Sequence, residues 1–289
     1  MINCFGSIEN YLEFYGLKIS AGRHEFVPFK SNGFELAGHV FKPVDYKATV
    51  VVLHGFLNHC GLLSKLIKYL TEAGFAVAVF DLPGHGLSDG RRTDISDFSQ
   101  YSDSLNDFMD IIKTQLHGPY HIIGHSTGAA AVMDYLFSQR GDCFGKVILT
   151  APLVHCAQWF WARIAYGIYR HFAENIFRLF PRNSSDENFL RFVKYQDPLQ
   201  SRKISLNWIG AMFKWNRKIA GVPIIGRPIL VIQGKSDTTV AWRYNLKFIQ
   251  SKFGRAEIKL IKKGQHELLN ESEKIQELVF SLIDSYLEN

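Results

Sequence analysis

The sequence predicts an α/β fold: a mostly parallel sheet of eight strands, with helices on both faces and a helical cap inserted after the sixth strand. Three observations carry this reading. Six short runs are apolar without alternation, as strands covered on both faces require. Helix-compatible stretches separate them, which implies right-handed crossovers and parallel pairing. The rhythm breaks once, over about 75 residues between Thr150 and Pro228, far more than one crossover needs.

The elements follow in order. His24 to Lys30 and Glu35 to Phe41 alternate, and Ser31-Asn32-Gly33 between them signals a hairpin. The apolar strands are Thr49 to Leu53, Phe75 to Phe80, Tyr120 to Ile123, Lys146 to Thr150, Pro228 to Gln233 and Ala256 to Ile261. Leu62 to Glu72 and Tyr101 to Gln115 carry helical periodicity. The long gap is read as a cap over residues 152–223, with helices expected at Ala157 to Phe172 and Ser205 to Ile219. Pro152 and the Gly221 to Pro228 stretch punctuate its ends. Residues 1–151 and 224–289 would then form the core.

Composition narrows the class. With 47% hydrophobic and 21% charged residues over 289 positions, the chain can bury a sizeable core. The N-terminus lacks the basic and apolar regions of a secretory signal, and no apolar run reaches the roughly 18 residues of a membrane span. A cytoplasmic protein, peripheral to membranes at most, is expected. Cys4, Cys60, Cys143 and Cys156 show no metal-ligand spacing and are expected as free thiols. The 11 histidines are scattered and no HExxH occurs, so no metal is expected. The net charge of +6 is local: residues 152–223 hold 11 Lys/Arg against 4 Asp/Glu, leaving the remainder near −1. No nucleic-acid module accompanies that charge.

The strongest local signal is Gly124-His125-Ser126-Thr127-Gly128, between the strand ending at Ile123 and the helical run from Ala129. Strand, sharp turn and helix are the setting of a nucleophile elbow. Glycines two before and two after are needed because strand and helix backbones approach closely. The helix N-terminus adds a positive dipole end beneath the hydroxyl. A serine hydroxyl still needs a base. Asp237 follows the strand Ile229 to Gln233, and His266 follows the strand ending at Ile261. Nucleophile, acid and histidine therefore run in the chain order of such hydrolases, each just past a strand's C-terminal end. A turn-capping aspartate and a surface histidine are the plainer alternatives for the last two.

An oxyanion hole needs two backbone donors. The N–H of Thr127 and, from the loop Leu53-His54-Gly55-Phe56, the N–H of Phe56 are the candidates. His54 is expected to hydrogen-bond within its loop. The stretch Asp81 to Gly90 is rich in glycine and reads as a compact turn; His85 and Ser88 there resemble a catalytic pair but lack an elbow.

Together, His54-Gly55-Phe56, Asp81 to Gly90, Gly124 to Gly128, Gly234-Lys235-Ser236-Asp237 and Gly264 to Glu271 resemble the monoacylglycerol lipase and lysophospholipase branch of the α/β-hydrolases. The resemblance spans about residues 25 to 285. It departs where that branch has Gly-Glu-His and this chain has Leu57-Asn58-His59, and where Asp-His-Arg-Gly-His-Gly is replaced by Asp81-Leu82-Pro83-Gly84-His85-Gly86. The resemblance implies ester hydrolysis through an acyl-enzyme on Ser126, with no cofactor and a small acyl ester as substrate.

The cap holds 14 aromatic residues, four of them tryptophans: Trp159, Trp161, Trp208 and Trp215. Aromatic and cationic side chains over an apolar pocket suit a lid that meets an anionic membrane surface. They equally suit a cap packed on the core with its cations in water. An aminopeptidase or a small-ester carboxylesterase would use the same triad. An acidic anchor for a substrate amine inside the cap would favour the peptidase. A catalytically silent binding protein on this fold conflicts with the intact Ser126, Asp237 and His266.

Overall fold

The computed structural model describes residues 4–138 and 143–289. A short helix α1 (Ile8–Phe14) precedes the hairpin of β1 (Arg23–Ser31) and β2 (Phe34–Lys42). At its turn Asn32 and Gly33 have φ of 50° and 80°, the paired positive values that a type I′ turn demands. Strand β3 (Ala48–Leu53), helix α2 (Ser64–Glu72), strand β4 (Phe75–Phe80), helix α3 (Ser99–Gln115), strand β5 (Tyr120–His125), helix α4 (Thr127–Phe137) and strand β6 (Phe144–Thr150) then alternate.

From β6 the chain runs through α5 (Trp159–Tyr169), β7 (Asn175–Phe177), α6 (Glu187–Tyr195), β8 (Lys203–Ser205) and α7 (Leu206–Ala220). It resumes the sheet with β9 (Ile225–Gly234), α8 (Trp242–Lys252), β10 (Phe253–Ile261) and α9 (Glu273–Glu288). The eight-stranded sheet has the order β1-β2-β4-β3-β5-β6-β9-β10. Only β2 runs against its neighbours; all other pairings are parallel.

Burial explains the unbroken apolar strands. In β3, Val51 and Leu53 pack in one core cluster and Val50 and Val52 in the other. In β9, Ile229 and Val231 take the first side, and Leu230 and Ile232 the second. Helices α3, α4 and α8 cover the first face; α1, α2 and α9 cover the second. Residues of these central strands therefore leave water whichever way they point, whereas the edge strand β10 keeps Glu257, Lys259 and Leu260 exposed and is not covered on both faces as its sequence reading expected.

The stretch between β6 and β9 differs in one respect from the helical expectation. Besides three helices it holds a two-stranded ribbon, with Asn175 opposite Ser205. Strands of three residues show no period for a sequence to betray. Two buried carboxylates tie this stretch down. Asp134 of α4 accepts from Trp215 Nε1 at 3.0 Å and Lys218 Nζ at 3.0 Å, both on α7, and from Ser102 Oγ at 2.7 Å. Asp197, after α6, accepts from Tyr15 Oη at 2.6 Å and Gln200 Nε2 at 2.8 Å, and lies 2.9 Å from His59 Nε2. Burial opposes ionisation of Asp197, but the His59, Tyr15 and Gln200 contacts outweigh it and hold the carboxyl at about 2.

Candidate active site

Ser126 sits between β5 and α4 with φ 51° and ψ −109°. A non-glycine residue there stores strain of about 1–3 kcal/mol, so the surroundings must over-determine it. They do. The Ser126 N–H donates to Thr150 O at 2.9 Å, and its carbonyl accepts from Ala130 N at 3.1 Å and Leu153 N at 3.2 Å. A Cβ on Gly124 would lie 2.7 Å from Ala129 Cα, and one on Gly128 2.4 Å from Leu53 O. Neither position admits a larger residue without moving backbone.

The loops after β9 and β10 bring the other two groups to the same edge. His266 Nε2 lies 3.0 Å from Ser126 Oγ, and His266 Nδ1 lies 2.8 Å from Asp237 Oδ2. Gln233 Nε2 donates to the same oxygen at 3.0 Å, while Asp237 Oδ1 accepts the N–H groups of Thr239 and Val240 at 2.8 and 3.1 Å. Both carboxylate oxygens are thus held, which fixes the imidazole's orientation. Burial pushes the Asp237 carboxyl up, but the His266 charge and these hydrogen bonds win and hold it below the ordinary range. Burial likewise disfavours charge on His266, yet Asp237, aided by Glu267, raises it above its usual value. Hydrogen bonding within the site and burial of its members pull in opposite senses, and the hydrogen-bonded charge pair dominates.

Thr127 opens α4, where the first N–H groups have no carbonyl one turn earlier to accept them. Phe56 lies in the loop after β3, and both residues line the cavity above Ser126. His54 is inside its own loop: Nδ1 is 2.8 Å from Gly55 O and Nε2 accepts from Leu82 N at 2.9 Å. In the Asp81 to Gly90 loop, Asp81 accepts from Cys60 N and Leu87 N at 2.6 and 2.7 Å, His85 Nδ1 meets Pro83 O, and Ser88 Oγ donates to Asp81 O. Those residues serve the loop's shape.

Several site residues were not singled out in the sequence. Glu267, adjoining His266, is buried with its carboxylate toward the cavity. It accepts from Asn58 Nδ2 at 3.1 and 3.3 Å and from Asn183 Nδ2 at 3.5 Å. Burial opposes its ionisation, but His125, His266 and Asn58 outweigh burial and hold it at about 2. The carbonyl of Asn183 also accepts the N–H groups of His266 and Glu267, at 3.1 and 2.9 Å. The stretch between β6 and β9 therefore buttresses the histidine loop directly. Adjacency to His266 was the one signal for Glu267; Asn58 and Asn183 reach it only through folding.

The cavity over Ser126 has a volume of about 420 Å³. Its walls are mostly apolar, including Leu153, Tyr166, Trp208, Ile209, Met212 and Val240. Polar groups in its lining include Arg178 and Glu267 with its hydrogen-bonded Asn58 and Asn183.

Known proteins are similar to this chain in sequence and in fold. Residues 45–273 match the family described as serine aminopeptidase, S33. A monoglyceride lipase homolog of monkeypox virus is 28% identical over 259 residues, covering 86% of this chain and 92% of that protein. Rat monoglyceride lipase is 33% identical over 109 residues, 37% of this chain and 36% of that one. Among solved structures, a soluble variant of monoglyceride lipase from Saccharomyces cerevisiae superposes with a TM-score of 0.80 at 19% identity, covering 95% of this chain and 97% of the other. Monoacylglycerol lipase of Paleococcus ferrophilus gives 0.70 at 24% identity, covering 88% and 98%. These similarities identify the fold as that of the α/β-hydrolases and the protein as a hydrolase. The chain belongs to the serine aminopeptidase S33 family.

Proposed function

We propose that the protein hydrolyses carboxylic esters of acyl lipids, of the monoacylglycerol or lysophospholipid type, through an acyl-enzyme on Ser126. The observation that carries this reading is the hydrogen-bonded series Ser126–His266–Asp237 opening into an apolar cavity of about 420 Å³. His266 Nε2 takes the Ser126 proton as the oxygen attacks the ester carbonyl. The N–H groups of Phe56 and Thr127 receive the oxyanion. His266 then returns its proton to the departing alcohol, and water cleaves the acyl-enzyme by the same route. The relatives named as monoglyceride lipases support this substrate class.

Residues 152–223 serve as a cap on a core of 1–151 and 224–289. The outer face of the cap carries exposed Phe160, Trp161, Ile168, Phe172, Phe177 and Leu179, with exposed Arg163 and Arg170 between them. Tyr169 and Leu179 also border the cavity, so this face and the acyl slot are continuous. Such a surface suits transient contact with an anionic lipid layer.

A second reading rests on Glu267. A carboxylate inside the cavity is the anchor that an aminopeptidase needs for a substrate amine. Against it, the Glu267 oxygens already face Asn58, Asn183 and His125. A hydrolysis panel separates the two: p-nitrophenyl esters of graded length, a monoacylglycerol, a lysophospholipid and an aminoacyl amide. Turnover of the amide in preference to every ester overturns the lipid-ester reading.

A further inference from the structure

Beside the nucleophile, two residues with no role in the proposed proton transfer, His125 and Glu267, are gathered against its base His266. A ring nitrogen of His125, a ring nitrogen of His266 and a Glu267 carboxylate oxygen lie within 4.8 Å of one another, and all three residues are buried. His125 Nε2 has no hydrogen-bond partner among the described residues. It faces Glu267 Oε2 at 3.6 Å, too far for a hydrogen bond. The other ring nitrogen, Nδ1, lies 3.1 Å from Thr150 Oγ1, and that hydroxyl is placed to donate to Gly124 O at 3.4 Å. This chain of bonds puts a proton on Nδ1 and leaves Nε2, which faces a carboxylate without a hydrogen bond, as the ring's free coordinating position. The Glu267 carboxylate across that gap is balanced by positive charge at Nε2, a place that a proton or a bound metal ion can fill.

The separation suits a small one. Zinc binds imidazole nitrogen and carboxylate oxygen at about 2.0–2.2 Å, so tetrahedral ligand atoms stand roughly 3.4 Å apart. The outer contacts also match what metal-binding side chains require, a partner on each ligand's far side. His266 Nδ1 has Asp237, His125 Nδ1 has Thr150, and Glu267 has Asn58 and Asn183. Three protein ligands beside a cavity leave the fourth position for water.

We propose that His125, His266 and Glu267 form a binding site for a divalent ion of the zinc class, and that its occupation switches the hydrolase off. The ion takes the Nε2 lone pair with which His266 would deprotonate Ser126. Both imidazoles bind as neutral rings, and any proton on them is released to water. The site is independent of which acyl substrate the enzyme prefers.

Isothermal titration of the full chain with zinc chloride tests this without reference to turnover. One ion per chain at micromolar affinity is expected, with fluorophosphonate labelling of Ser126 lost in parallel and restored by EDTA. His125→Asn and Glu267→Gln should each weaken binding by at least about tenfold. Should either variant fail to fold, cobalt(II) added to the unaltered protein should give the intense visible bands of a four-coordinate site. No binding at millimolar zinc, undiminished affinity in both folded variants, or a six-coordinate cobalt spectrum each overturns the proposal. Absence of ester turnover in the zinc-free protein, with zinc binding as expected, would instead count against the proposed reaction alone.

Discussion

The indole of Trp208 lies flat against the ring of Phe56, with centroids 3.7 Å apart and planes within 16°. Trp208 belongs to α7, and Phe56 to the loop offered as one side of the oxyanion hole. Trp208 Nε1 also donates to Tyr101 Oη at 3.0 Å, which fixes the indole. Trp208→Ala should therefore lower kcat/KM by about 10²-fold, since small displacements of positioned groups have that effect. It should also cost about 3–5 kcal/mol of stability. Trp208→Phe keeps the stacking surface and should recover most of the rate. Steady-state kinetics with denaturant melts check both values; a full-rate Trp208→Ala enzyme would show that the stacking does not position the loop.

Ser126→Ala should abolish ester turnover, by about 10⁴-fold or more, while leaving the melting temperature unchanged or raised. The strain at φ 51° remains, but no packed atom beyond the hydroxyl is lost. Asp237→Asn should cost about 10⁴-fold as well, because an amide cannot support the imidazolium or enforce its tautomer. Burst titration with a fluorophosphonate separates loss of the nucleophile from loss of its activation.

The proposed reaction needs His266 neutral, and its pKa stands above the ordinary 6.5. The acid limb of kcat/KM should accordingly fall above pH 6.5. Glu267→Gln removes one of the negative charges that raise His266, so that limb should move to lower pH. A pH–rate profile of the variant that superposes on the original would remove Glu267 from the electrostatics of the base.

Stability should drain at low pH through two buried carboxyls. Asp197 is depressed from 3.8 and Glu267 from 4.5, both to about 2. Groups depressed in the folded chain add stability above their unfolded values and lose it as pH falls through the folded ones. Denaturant midpoints should thus decline between pH 4.5 and 2. Asp197→Asn should be less stable at pH 7 and show a shallower decline.

Acyl length should be read by the cavity. Each methylene buried contributes about 0.8 kcal/mol, or roughly fourfold in kcat/KM, until the slot is filled. Ala165 of α5 lines that slot. Ala165→Phe should shift the optimum toward shorter chains while sparing the shortest esters. An unchanged length profile would place the acyl chain elsewhere.

The middle of the sheet was legible because its strands β3 to β6 are largely buried on both faces. Val50 to Leu53 and Phe75 to Phe80 have no alternative to being strands once helices flank them. Ser126, Asp237 and His266 were legible for a related reason: each follows a strand end, and strand ends are readable. Helices α1 and α6 and the β7–β8 ribbon were not, since short elements leave too few residues for a period to emerge. Gln233, Asn58 and Asn183 stayed hidden because their roles depend on distance in space. Asn183 and Glu267 are far apart along the chain yet share a hydrogen bond.

The stretch from α5 to α7 leaves the sheet at Thr150 and returns at Ile225, and the two strands it joins, β6 and β9, are neighbours with Thr150 opposite Ile232. Because β6 and β9 run parallel, it departs from the rim that carries Ser126 and re-enters at the opposite end of the neighbouring strand. Ser126, Asp237 and His266 all lie outside it, whereas Ala165, Trp208 and Met212, which wall the cavity, lie within it. On the proposed reaction, the groups that do the chemistry and many of those that wall the cavity therefore lie in separate parts of the chain. Lineages could exchange the walls wholesale and keep the chemistry, provided each new stretch still supplies a carbonyl for the backbone of His266 and a flat ring for Phe56.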